Sequence, residues 1–173
     1  MKLKISLVAL LLSLVFCEGC GIYGFTGSTL SSDVKTMSIQ TFYNNALLGP
    51  SNMSVTFTES IKDYFQQNTG LILVDQEGDI QLEGYIENYT LTPVAAAANS
   101  NGQNLANQSR ITITINATYV NTIDPTFDFD KRFSNFRDFD QATTDLSQVE
   151  EQLVEEIFEQ IIIDIFNSSV ANW

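Results

Sequence analysis

The chain contains no histidine and only two cysteines, Cys17 and Cys20. Without histidine it can build neither a Ser-His-Asp triad nor a Cys-His pair, and it lacks the imidazole ligands of tight transition-metal sites. Most hydrolytic chemistry is excluded with them. Cations are scarce as well: eight Lys and Arg stand against 21 Asp and Glu, a net charge of −13. Such a balance repels nucleic acid and anionic membrane surfaces. The apolar run from Ile5 to Phe16 falls well short of the roughly 20 residues needed to span a bilayer.

What is present at this end is a targeting pattern. A basic tip (Lys2, Lys4), the apolar run, the small residue Gly19 and then Cys20 form the signal of an exported, lipid-tethered protein. The residue before the modified cysteine must be small for cleavage. Phe16 precedes Cys17 and Gly19 precedes Cys20, so Cys20 is the expected lipid attachment site. Residues 1–19 are then a signal peptide, 20–33 a Gly-, Ser- and Thr-rich lipidated tether, and 34–173 one domain. A chain of that size can bury a real core. Its one remaining cysteine is committed to lipid, so no disulfide is available and packing alone must hold the core.

Hydrophobic periodicity gives the order of elements. Val34, Met37, Ile39 and Phe42 suggest a first strand. Phe57, Ile61, Tyr64 and Phe65 predict a helix from about Ser51 to Asn68, with Thr56 and Glu59 as a capping box. Leu71 to Asp75 reads as a short strand, joined by Gln76-Glu77-Gly78-Asp79 as a hairpin to a longer strand from Ile80. There Ile80, Leu82, Gly84 and Ile86 share one face and Gln81, Glu83 and Glu87 the other. Ala95 to Gln108 is a loop without periodicity. From Arg110 to Val120 the alternation is clearest, with Ile111, Ile113, Ile115, Ala117 and Tyr119 on one face. After Asp124-Pro125, the phenylalanines 127, 129, 133, 136 and 139 start at period 2 and change to a spacing of three, which predicts a strand that breaks near Ser134. A stripe from Leu146 to Ile165, with glutamates mostly opposite, predicts a long amphipathic helix whose start is favoured by Asp145 and Glu150. The order β-α-β-β-β-β-α makes an α+β two-layer sandwich: two helices on one face of a four- to five-stranded, mostly antiparallel sheet.

No motif for catalysis, metal or cofactor emerges. The helix glutamates read as a solvated face, and Asp75, Glu77 and Asp79 as a turn, since the spacing of a calcium loop is absent. The segment Phe127 to Phe139 interleaves aromatics with Lys131, Arg132 and Arg137, and Arg110 lies in the strand before it. These four cations could hold the phosphate part of an amphiphile; equally, the phenylalanines are core and the charges solvated strand positions.

Several segments, in order, resemble one family. They are Cys20-Gly-Ile-Tyr-Gly-Phe-Thr-Gly27, Asp33-Val-Lys-Thr-Met-Ser-Ile39, Thr58-Glu59, Gly70-Leu-Ile-Leu-Val-Asp75, Gly78-Asp79, Gly84-Tyr-Ile-Glu-Asn-Tyr89 and Phe133-Ser-Asn-Phe136. Together they are similar to LptE, the lipopolysaccharide-assembly lipoprotein, in the form found in Bacteroidota. The resemblance implies two helices on one face of a sheet. It also implies a non-enzymatic role as a plug inside the LptD β-barrel, helping that barrel assemble and contacting lipopolysaccharide. No motif maps the family's lipopolysaccharide contacts onto this chain; Arg110, Lys131, Arg132 and Arg137 are the candidates from charge. Gly21-Ile22-Tyr23-Gly24 after the cysteine carries neither an inner-membrane retention Asp nor an acidic surface-export run, which implies the periplasmic face of the outer membrane. The rival expectations are a surface-exposed lipoprotein that binds glycan or host protein, and a periplasmic hydrolase with paired carboxylates.

Overall fold

In the computed structural model, which describes residues 30–94 and 108–170, the alternating segments form one sheet. The expected signal peptide, Cys20 and most of the tether lie outside the described residues, as does nearly all of the loop 95–108. The strands are β1 (Thr36–Ile39), β2 (Tyr43–Asn44), β3 (Ile72–Val74), β4 (Ile80–Pro93), β5 (Gln108–Asn121) and β6 (Phe129–Asp140). The helices are α1 (Met53–Asn68) and α2 (Leu146–Ser169). The sheet order is β3-β1-β4-β5-β6, with β2 paired to β4. The expected first strand, Val34 to Phe42, is thus shorter, Thr36–Ile39, and after a break at residues 40–42 a second short strand, Tyr43–Asn44, follows beyond its expected end.

Strand β5 alternates without a fault: Ser109, Ile111, Ile113, Ile115, Ala117, Tyr119 and Asn121 are buried on the helix side. It pairs antiparallel with β4 and with β6. In β4 the alternation is reset by a bulge between Ile86 and Asn88, so Tyr89 instead of Asn88 follows Ile86 into the core. The Tyr89 hydroxyl then donates to Glu150 of α2 at 2.7 Å, and burial raises the phenol's pKa. The predicted role of Glu150 at the helix start is replaced by this bond. The cap is Asp145, which accepts from the Ser147 amide at 3.0 Å.

One helix face of each amphipathic segment lies on the sheet: Phe57, Ile61 and Phe65 of α1, and Val154, Ile157, Phe158, Ile161, Ile162 and Ile165 of α2. The capping box expected of Thr56 and Glu59 does not form. Helix α1 begins at Met53, after an Asn52 whose side chain caps nothing, and the Thr56 amide already donates to the Asn52 carbonyl inside the first turn.

Phe42 joins the layers. Its amide donates to the Thr58 hydroxyl (3.0 Å) and its carbonyl accepts from the Ser54 hydroxyl (2.7 Å), both on α1. Its ring meets Phe57 edge-on at 5.0 Å, and Phe57 meets Phe158 of α2 in the same way at 5.0 Å. Such pairs contribute about 0.5–1.5 kcal/mol each beyond the burial of their area. Beneath the ring lies Gly84: a Cβ there would stand 2.6 Å from Phe42 Cε1 and against the Asn116 carbonyl oxygen.

The hairpin expected between β3 and β4 is not present. Both strands run parallel to β1, one on either side of it, with Val74 level with Ser38 and Ile80 level with Met37. Parallel neighbours usually need a crossover of a dozen or more residues. Here five suffice, because the end of β3 and the start of β4 lie at the same height and the chain crosses directly over β1. Gly78 makes the crossing possible, since a Cβ on it would be 2.5 Å from Ser38 N and 2.7 Å from Met37 C. Met37 and Ile39 face the helices, so Thr36 and Ser38, whose hydroxyls accept from the Asp79 and Gly78 amides, mark the crossing as lying on the opposite face. The Asp79 carboxylate completes the clamp by accepting from the Lys35 and Thr36 amides, each at 2.9 Å.

Gly84→Ala should destabilise the fold by about 1–3 kcal/mol, the range for overpacking a filled core; an unchanged urea midpoint would refute this account of the Phe42 contact. The Asp79 carboxyl is held below its ordinary 3.8, first by the Lys35 amide and then by the Thr36 amide. Its ionised form therefore stabilises the fold at neutral pH, and that contribution fades as pH falls below 3.8 through the lower folded value. Asp79→Asn should lower the urea midpoint at neutral pH and differ little from the parent at about pH 2.

Candidate functional site

Among the described residues β6 is an edge strand, hydrogen-bonded to β5 alone. Its register with β5 is unbroken from Gln108↔Asp140 to Tyr119↔Phe129, so the break expected near Ser134 does not occur. The phenylalanine spacing changes because the strand uses both faces. Phe129, Phe133 and Phe139 point to the helix side and pack, while Phe136 points to the open side and is 45% exposed.

The same period of two divides the four candidate cations. Arg110 and Arg132 stand on the open face, Lys131 and Arg137 on the helix face, so the four do not form one cluster. Arg110 lies opposite Asp138 and grips it with two bonds, 2.7 and 2.9 Å, while its guanidinium carbon sits 3.7 Å from the Phe136 ring centroid. The Arg110 guanidinium holds the Asp138 carboxyl below its usual range, and that carboxylate in turn raises the arginine. Arg132 Nε bonds Glu87, the residue at the β4 bulge, at 2.6 Å. On the other face Arg137 ties β6 to α2: Nε reaches the Glu156 carboxylate at 3.1 Å and Nη2 the Glu156 carbonyl at 3.2 Å. Its Nη1 also binds the Asn135 side chain and the Phe136 carbonyl. The Glu156 carboxyl is lowered, first by the Gln152 amide and then by Arg137.

Lys131 differs from the three arginines. Its Nζ donates to the Ser168 hydroxyl of α2 at 2.9 Å and stands 4.8 and 5.0 Å from the ring centres of Phe129 and Phe133. Phe129 stacks on Tyr119 at 5.4 Å, and burial pushes the Tyr119 phenol up to about 12. The four candidate cations therefore fall on two sides of the β5-β6 edge: Lys131 tops a packed aromatic corner and Arg137 joins α2 on the helix side, while Arg110 and Arg132 form carboxylate pairs on the open face. The carboxylate partners Glu87, Asp138 and Glu156 were not foreseen from sequence. Asp138 could have been, since consecutive antiparallel strands of this length bring positions 110 and 138 opposite.

The open face also carries a shallow depression of about 300 Å³, lined by Gln40, Thr41, Tyr43, Glu83, Tyr85 and Asn116 among others. Among the described residues no group of His, Cys, Asp and Glu is placed to hold a metal ion, and no helix is long and apolar enough to cross a membrane.

The whole is a small α+β domain whose arginine-carboxylate pairs tie β6 to β5, β4 and α2. The chain belongs to the LptE family, described as lipopolysaccharide-assembly, which matches residues 34–169. No curated protein matches it. Among solved structures, a Xanthomonas campestris protein is similar at 11% identity, with 78% of this chain and 85% of that one covered and a TM-score of 0.53. A Chlamydia trachomatis protein is similar at 9% identity, with coverage of 78% and 97% and a TM-score of 0.52. At such identities the likeness speaks for the fold alone. The rare lipoprotein B from Shewanella oneidensis aligns at 14% identity, with coverage of 76% and 92% and a TM-score of 0.49. By its family the chain is a cell-envelope lipoprotein with a non-enzymatic role in lipopolysaccharide assembly.

Proposed function

We propose that this protein plugs and helps assemble an LptD-type β-barrel, and takes part in lipopolysaccharide transport and insertion into the outer membrane. The family match over residues 34–169 carries this reading. The targeting pattern supports the place of action: acylated Cys20 would tether the domain to the periplasmic face of the outer membrane, beside its barrel. The acidic balance, −13 over the chain, fits a protein partner and a periplasmic position better than adhesion to an anionic surface.

Lipopolysaccharide contact is assigned to the β6 edge. A ligand lying along that free edge straddles both faces and reaches Arg110 and Arg132 on one side, Lys131 and Arg137 on the other. Anionic phosphate groups suit such cations, and each arginine would trade part of its carboxylate contact for the ligand. Lys131, whose polar contact is a serine hydroxyl, gives up least on engaging an anion.

Affinity purification of the chain from detergent-solubilised outer membrane should bring down a large β-barrel protein, and absence of such a barrel would overturn the main reading. Alanine at Arg110, Lys131, Arg132 and Arg137 together should weaken lipopolysaccharide binding, with Lys131→Ala the largest single loss. Unchanged binding by the quadruple variant, with its circular dichroism intact, would remove the edge from consideration.

A further inference from the structure

The exposed apolar side chains of the described residues include Tyr43 of β2 and Ile72 of β3, and one pair adjacent in sequence, Leu47 and Leu48, at the tip of the loop after β2. Leu47 is 98% and Leu48 60% exposed, and Val55, in the first turn of α1 that follows, is 66% exposed. Single exposed hydrophobics are ordinary on a soluble surface, but two adjacent leucines in open solvent are not. The tip is firmly based: the Asn45 amide donates to the Ile86 carbonyl at 3.0 Å, the Ala46 amide to the Asn44 side chain at 3.0 Å, and Ala46 packs on the core. Its leucines are thus presented by an anchored loop.

The surrounding sequence is free of charge. In a chain of net −13, no Asp, Glu, Lys or Arg occurs from Thr36 to Thr58, which takes in β1, β2, the loop and the first half of α1. Strand β4 beyond Glu87, which runs alongside, is likewise uncharged as far as its end at Pro93. Two α2 carboxylates that reach across to α1 and β4 are engaged there: Glu151 accepts from the Asn52 side-chain amide at 3.3 Å and Glu150 from the Tyr89 hydroxyl. Asp140 and Asp145 border the turn between β6 and α2.

We propose that the Leu47-Leu48 tip inserts shallowly into the surface of a neutral phospholipid leaflet. A protruding tip of two leucines offers little of the roughly 1,200–2,000 Å² that a stable protein interface buries. A fluid leaflet needs no shape complementarity: it rewards apolar area and penalises charge. The absence of charge on the tip, against an acidic body, suits that one surface. The contact is a second point of attachment, separate from any N-terminal lipid and from the β6 edge.

Trp173 is the chain's only tryptophan, so Trp173→Phe gives a dark background in which Leu47→Trp reports on the tip. The full chain carrying both changes is reconstituted in phosphatidylcholine vesicles with and without brominated acyl chains. The expected result is a blue-shifted emission that the bromines quench, while a control Thr114→Trp on the open face stays water-like and unquenched. Adding Leu48→Asp should cut the quenching severalfold. Water-like emission from position 47 in vesicles would overturn the proposal. So would shielding that appears only when a co-purified protein is present, because the tip would then be a protein contact. Neither result touches the barrel reading, whose own test is co-purification.

Discussion

Phe42 occupies the point where the sheet, α1 and α2 meet, and each part of it is engaged by a different neighbour. Its main-chain groups are bonded by the Thr58 and Ser54 hydroxyls, its ring lies over Gly84, and through Phe57 it reaches Phe158. Because the backbone at Phe42 is held by helix side chains, it is withdrawn from the ladder, and this divides the first strand into β1 and β2. Its buried amide and carbonyl would otherwise cost a desolvation penalty. Without a cysteine among the described residues, the two layers are held by packing and by such polar ties, Phe42 to Thr58 and Ser54, Tyr89 to Glu150 and Arg137 to Glu156.

The electrostatics follow from strand geometry more than from sequence clustering. Lys131 and Arg132 are neighbours in the chain and stand on opposite faces of β6, as successive strand residues must. Each arginine finds a carboxylate on its own face: Asp138 on β6 for Arg110, Glu87 on β4, across β5, for Arg132, and Glu156 on α2 for Arg137. These pairs are partly exposed, so their strength lies in geometry and their response to salt is direct. An edge strand dense in charge also resists casual pairing with other chains, which suits β6, an edge among the described residues.

Much of this architecture was legible from alternation. The faultless period of β5, the amphipathic stripe of α2 and the overall element order were read from residues alone, because one-sided burial stamps a pattern on sequence. What escaped was non-local or two-faced. Nothing in Gln76-Glu77-Gly78-Asp79 says that another strand already lies between β3 and β4, and a short Gly-containing link reads as a hairpin. The bulge at Glu87 shows in the sequence only as a change of parity, from Ile80, Leu82 and Ile86 to Tyr89 and Leu91, and two residues are too few to fix it. Strand β6 was misread because, with Phe136 on the open side, its aromatics follow neither face alone. As for the candidate site, its cations were legible as residue types, but their partners and the division between faces required the register.

The strap over β1 has a mechanical meaning. Strand β1 lies parallel between β3 and β4 and beneath residues 75–79, with the Lys35 and Thr36 amides latched to Asp79. A pull along the axis of β1 loads its bonds to both neighbours at once, so they must shear together instead of opening one by one. Tension along this strand therefore meets one that is held on both edges and latched at its start.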